Sequence, residues 1–105
     1  MHRRYLVVIK PQAIADIEDA AAFIEEQSGD SCVADLWETA AYEQIKHLET
    51  FPNSYPRFSR RKYRHITYGR YLIVYRVDDV ELKVVVCRVV SAWRDRQRIG
   101  PMESD

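Results

Sequence analysis

The chain predicts an α+β fold in the order β-α-α-β-β-β, an antiparallel sheet with a helical hairpin packed on one face. Three observations predict it. Apolar residues recur at helical spacing from Ile14 to Leu48, interrupted once at Ser28-Gly29. The second half carries three runs rich in β-branched and aromatic residues. The links between those runs are too short for anything but hairpin turns. A length of 105 residues makes residues 1–105 a single domain, and a hydrophobic share of 47% lets it bury a core.

Tyr5-Leu6-Val7-Val8-Ile9 is β-rich and ends at Lys10-Pro11, so it reads as a short first strand. Pro11 suits the first turn of a helix, where a missing N–H costs nothing. Ile14, Ile17, Ala21 and Ile24 form that helix's apolar stripe, with Asp16, Glu18, Asp19, Glu25 and Glu26 on its wetter side. Gly29 can take the left-handed conformation that stops it. Asp30 or Ser31 caps a second helix. Its stripe is Val33, Leu36, Trp37, Ala40, Ala41, Ile45 and Leu48, and it ends near Thr50, before Phe51-Pro52. Residues 51–62 form a basic loop punctuated by proline. Strands are expected over Tyr63–Thr67, Tyr71–Val77 and Glu81–Val90. Tyr68-Gly69-Arg70 and Asp78-Asp79-Val80 turn the chain between them.

Two helices cover one sheet face, yet both faces of these strands are apolar. Tyr71, Ile73, Tyr75 and Val77 alternate with Leu72 and Val74, and Leu82, Val84, Val86 and Val90 with Val85, Cys87 and Val89. Such a surplus face implies a curled sheet that buries it or a partner that does, and the partner is the expectation here.

Net charge is zero, but unevenly laid out. Residues 1–50 hold four basic and ten acidic side chains, and residues 51–105 hold twelve and six. Between Glu49 and Asp78 there is no acid, while Arg57, Arg60, Arg61, Lys62, Arg64, Arg70 and Arg76 all fall there. A one-signed block favours an anionic partner, or else faces the chain's own acidic helices. Cys32 and Cys87 stand alone, without the spacing of a disulfide framework or a zinc site, so no metal and no cofactor are expected. The apolar run after Met1-His2-Arg3-Arg4 is too short for a secretory leader, and none is long enough to cross a bilayer. A cytoplasmic location without membrane contact is the expectation.

Three stretches then carry a family likeness: Pro11-Gln12-Ala13-Ile14-Ala15-Asp16-Ile17, Leu48-Glu49-Thr50-Phe51-Pro52, and above all Tyr68-Gly69-Arg70-Tyr71-Leu72-Ile73-Val74-Tyr75-Arg76-Val77 with a Val-rich strand into Arg94-Asp95. From Tyr5 to about Arg98 the chain resembles the RelE/ParE toxin superfamily. The resemblance implies a toxin held inactive by a cognate antitoxin that wraps the hairpin and sheet, here expected over Leu36, Trp37, Leu72, Val74, Val85 and Val89. It also implies that operator DNA is bound only through the antitoxin. RelE-like members cleave messenger RNA on the ribosome, whereas ParE-like members are non-catalytic poisons of DNA gyrase.

Metal-free RNA cleavage needs an acid/base beside its stabilising cations. The tail from Ser91 to Pro101 has arginines but no His or Tyr. His65, beside Arg64, and Arg94 are the candidates for the ribonuclease reading; as a structural residue, His65 is an edge-strand histidine with a solvated ring. The gyrase reading needs only a surface, for which Arg57, Arg60, Arg61, Arg64, Trp93, Arg94, Arg96 and Arg98 are the candidates. Trp93 could stack on a partner, but a buried anchor closing the sheet is the preferred reading, and core packing explains the Tyr71/Tyr75 row more simply than base stacking does; Arg94-Asp95 can equally be a local ion pair. A third reading is a degenerate, non-toxic binding module.

Overall fold

In a computed structural model, residues 4–57 and 62–91 are described. The order is β1 (Leu6–Ile9), α1 (Pro11–Ser28), α2 (Ser31–Lys46), a 3-10 turn (His47–Glu49), β2 (Tyr63–Tyr68), β3 (Tyr71–Asp78) and β4 (Lys83–Ser91). This is the expected α+β architecture. Pro11 occupies the first turn of α1, and Gly29 closes it with φ 70°, donating its N–H to Glu25 O at 2.8 Å. Asp30 is the cap of α2, its Oδ1 accepting from Cys32 N at 2.8 Å. The α-helical part of that segment stops at Lys46, earlier than the stripe suggests, because the 3-10 turn carries Leu48 into the core.

The four strands lie in the order β1-β4-β3-β2. β2, β3 and β4 form the antiparallel meander. β1 corrects the all-antiparallel expectation: it pairs parallel with β4, Val7 opposite Val84 and Ile9 opposite Val86, so the sheet is mixed. Parallel neighbours need a long crossover, and the helical hairpin with the meander supplies it. Asp78 Oδ1 accepts from Val80 N and Glu81 N, both at 3.0 Å, and Leu82 takes φ 53°; that turn delays β4 to Lys83.

Strict alternation fails in β4. Val74 pairs with Arg88 and Tyr75 with Val86, leaving Cys87 as the extra residue of a β-bulge. Beyond the bulge, Val89 joins the helix side and Val90 the opposite side, the reverse of the alternating assignment. The helix-side core gathers Ala13, Ile17, Ile45, Leu48, Ile66, Ile73, Tyr75, Val84, Val86 and Val89. In α1 the buried positions are Ala13, Ile17 and Ala20, while Ile14 lies at the margin. The buried line of α1 thus runs Ala13, Ile17 and Ala20, keeping Ile17 from the predicted stripe and replacing Ile14 and Ala21 with their neighbours Ala13 and Ala20.

Opposite the helices, Tyr63, Leu72, Val74, Val85, Cys87 and Val90 form a second buried cluster. The expectation of an apolar face left open for a partner is therefore corrected, because this face is already enclosed in the single chain. Of the two alternatives, a partner and burial within the chain, burial holds: Tyr63 from β2 packs fully buried beside the β3 and β4 members of the cluster. Among the described strand residues, large exposed apolar side chains are confined to edge strand β1, where Leu6 and Val8, opposite Lys83 and Val85, are 66% and 39% exposed. Among the described residues, no helix is long and apolar enough to cross a membrane.

Candidate partner and target surfaces

Of the six side chains expected to meet an antitoxin, the strand members Leu72, Val74, Val85 and Val89 are buried core. The helix members are not. Leu36 is 72% exposed, Val33 one turn earlier is 43% exposed, and Trp37 is half-buried. Helical geometry stacks Val33, Leu36, Trp37 and Ala40 on one side of α2. At its sheet-facing margin the Trp37 ring lies 5.1 Å from that of Tyr71 and 6.4 Å from that of Tyr68, centroid to centroid. The stripe is thus firmly braced on one flank and open on the other. On the opposite side of α2, Tyr42 has its pKa raised by burial first, then by the negative charges of Glu38 and Glu18.

The expected target surface divides. Arg57 is exposed and bridges Arg64 across the sheet edge. Arg64 is half-buried, and its Nη1 donates to Tyr55 O at 2.6 Å. Tyr75 Oη donates to Pro52 O at 2.6 Å, and His65 N donates to Pro56 O at 3.1 Å. The loop preceding β2 is therefore stitched to the sheet at three points, and Arg64 spends part of its guanidinium on holding it. Burial drives the pKa of Tyr75 well above the usual phenol value, partly opposed by the Arg64 charge. His65 lies on edge strand β2 opposite Val74, half-buried with its Nδ1 enclosed, which corrects the picture of a solvated ring. Arg60, Arg61, Trp93, Arg94, Arg96 and Arg98 lie outside the described residues. No group of three or more His, Cys, Asp or Glu side chains that could hold a metal ion gathers among the described residues.

One functional-looking ion pair escaped the sequence reading. Asp16, assigned to the wet side of α1, has a side chain only 9% exposed. It accepts from Arg88 Nε at 2.7 Å, Arg88 Nη2 at 3.2 Å and Val89 N at 2.9 Å. Gln12 Nε2 donates to it as well, at 3.0 Å. The carboxylate thus plugs the β-bulge, satisfying an N–H that the irregular ladder leaves over. The signal was present: a lone arginine within Lys83-Val84-Val85-Val86-Cys87-Arg88-Val89-Val90 needs an anion nearby.

The same architecture occurs in solved toxin–antitoxin complexes. The chain is similar to one from the chromosomal ParDE system of P. aeruginosa, at TM-score 0.73 and 17% identity, covering 84% of this chain and 96% of that one. It is similar to one in the RelBE2 complex of Mycobacterium tuberculosis, at TM-score 0.62 and 22% identity, covering 85% and 92%. For the intact E. coli RelBE complex the values are TM-score 0.56 and 19% identity, covering 86% and 99%. At these identities the likeness shows the fold, that of the RelE/ParE-like toxins. No curated protein matches the chain. The family model of the ParE toxin of the type II toxin–antitoxin system parDE matches residues 7–96, so the chain belongs to the ParE toxin family.

Proposed function

We propose that the protein acts as a ParE-like toxin that inhibits DNA gyrase by binding it, without enzymatic activity of its own, and that a cognate antitoxin neutralises it. The observation that carries the reading is the ParE family match over residues 7–96. The sequence agrees with it, because from Ser91 to Pro101 there is no His or Tyr to serve as acid or base for RNA cleavage. Target contacts are assigned to Arg57, Arg60, Arg61, Arg64, Trp93, Arg94, Arg96 and Arg98. The antitoxin seat is assigned to Leu36 and Trp37, which remain accessible on α2.

The deciding experiment is induced expression in bacteria with separate readouts of plasmid supercoiling and transcript cleavage. Growth arrest with relaxed plasmid and intact transcripts is the expected result. Cleavage on translating ribosomes, abolished by Arg94→Ala or His65→Ala with antitoxin binding retained, would replace it with the ribonuclease reading. Normal growth would leave a non-toxic binding module.

A further inference from the structure

The loop over residues 50–57 is poor in donors of its own, because Pro52 and Pro56 have no N–H. Its carbonyls are capped from the sheet instead. Tyr75 Oη on β3 donates to Pro52 O at 2.6 Å, Arg64 Nη1 on β2 to Tyr55 O at 2.6 Å, and His65 N on β2 to Pro56 O at 3.1 Å. The rings of Tyr55 and Tyr75 meet edge to face, centroids 6.4 Å apart, and Asn53 Nδ2 adds a tie to Asp79 Oδ1 at 3.4 Å. What these contacts hold in place is Arg57, which is exposed and bridges Arg64 at the sheet edge. The three caps differ in kind. The His65 bond is main chain and persists under side-chain substitution. Arg64 carries a charge of its own, so its removal changes two things at once. Tyr75 is uncharged and 0% exposed, so it touches no partner, yet it anchors the loop at its first proline. An arginine on a loose loop loses conformational freedom when it binds. One on a loop already fixed meets its anion with much of that loss already made.

We propose that Tyr75 is a positioning residue for the target surface: through its bond to Pro52 O it fixes the proline loop, so that Arg57 stands ready at the β2 edge for an acidic group of the target. This rests on the reading that the basic loop meets the target, and it adds a buried residue that no surface inventory contains. Tyr75 acts through Arg57 and not beside it. Its loss therefore weakens binding only as far as Arg57 contributes to it.

The test measures binding of the full chain to purified gyrase at about 0.05 and about 0.2 M salt. Wild type, Arg57→Gln, Tyr75→Phe and the double variant are compared, with circular dichroism confirming that each is folded. Arg57→Gln is expected to weaken binding about fivefold at the lower salt and to flatten its salt dependence. Tyr75→Phe is expected to weaken binding about threefold and to flatten the salt dependence as well, although it removes no charge. In the Arg57→Gln background the same change is expected to cost less than about 1.5-fold. Faster exchange of the His65 amide in Tyr75→Phe reports release of the loop. A purely structural role for Tyr75 would give additive losses and leave the salt dependence as in the wild type. Either result, or wild-type binding by Tyr75→Phe, overturns the proposal. If the wild type does not bind gyrase, the gyrase reading falls by itself and the four proteins are scored by growth arrest on induced expression. There a coupled cycle supports the positioning role and an additive one overturns it. Normal growth with the wild type removes the toxin reading and the proposal built on it.

Discussion

Replacing Asp16 with alanine is expected to be among the most damaging single changes on the surface of α1. The substitution removes an acceptor shared by Arg88 Nε, Arg88 Nη2 and Val89 N, at 2.7, 3.2 and 2.9 Å. Two separate costs follow. The Val89 N–H, in a buried residue beside the bulge, loses its partner, at about 1–3 kcal/mol. The Arg88 guanidinium loses its counter-charge, but its side chain is 37% exposed and water compensates in part. The full penalty of an orphaned buried charge therefore does not apply, and about 1 kcal/mol is the appropriate size. The sum is about 3 kcal/mol, a large fraction of the stability of a small domain. For a domain of this length it lowers Tm by about 12–20 °C. Urea and thermal unfolding of the wild type, Asp16→Ala, Arg88→Met and the double variant check it. A coupling energy of at least about 1 kcal/mol between the two positions is expected. Loss below about 1 kcal/mol for Asp16→Ala, or strict additivity in the cycle, would refute the assignment of Asp16 as the plug of the bulge.

Leu72→Ala, at a buried strand position, is expected to cost about 2–4 kcal/mol, whereas Leu36→Ala on exposed α2 costs less than about 0.5 kcal/mol by denaturant unfolding. The reverse order would return the strand face to the list of partner surfaces. Gly29→Ala is expected to lose about 1 kcal/mol, although no atom lies within 4 Å of the added Cβ, because φ 70° is strained for alanine. Tyr75 ionises less readily folded than unfolded, its ordinary value being 10.0. Its contribution is intact below that pH and is lost as alkali deprotonates the unfolded chain first, so stability falls above about pH 10. Tyr75→Phe is expected to remove that part of the alkaline slope in a pH series of urea midpoints. It also costs about 1 kcal/mol at neutral pH, through the lost bond to Pro52 O.

Much of the architecture was legible in the residues because local chemistry decided it. Pro11, Gly29 and Asp30 act through φ restriction, left-handed tolerance and side-chain capping, none of which needs a distant partner. The β2–β3 turn at Gly69, with φ 61°, is of the same kind. The candidate site was legible only in part. Leu36 and Trp37 could be placed on α2 from spacing alone, and both remain accessible there.

Alternation along the last strand identified the residues that would be apolar, but one unpaired residue, Cys87, exchanged the faces of Val89 and Val90. A bulge leaves no mark in a run of valines, since its position depends on what the neighbouring strand and helix offer. The parallel place of β1 beside β4, the burial of Leu72, Val74 and Val85, and the meeting of Asp16 with Arg88 across 72 residues belong to the same class. Composition, helix limits, turns and the charge division of the chain were properties of the sequence itself. Which apolar face stayed open was decided by tertiary packing, because burial depends on long-range neighbours that no local pattern encodes.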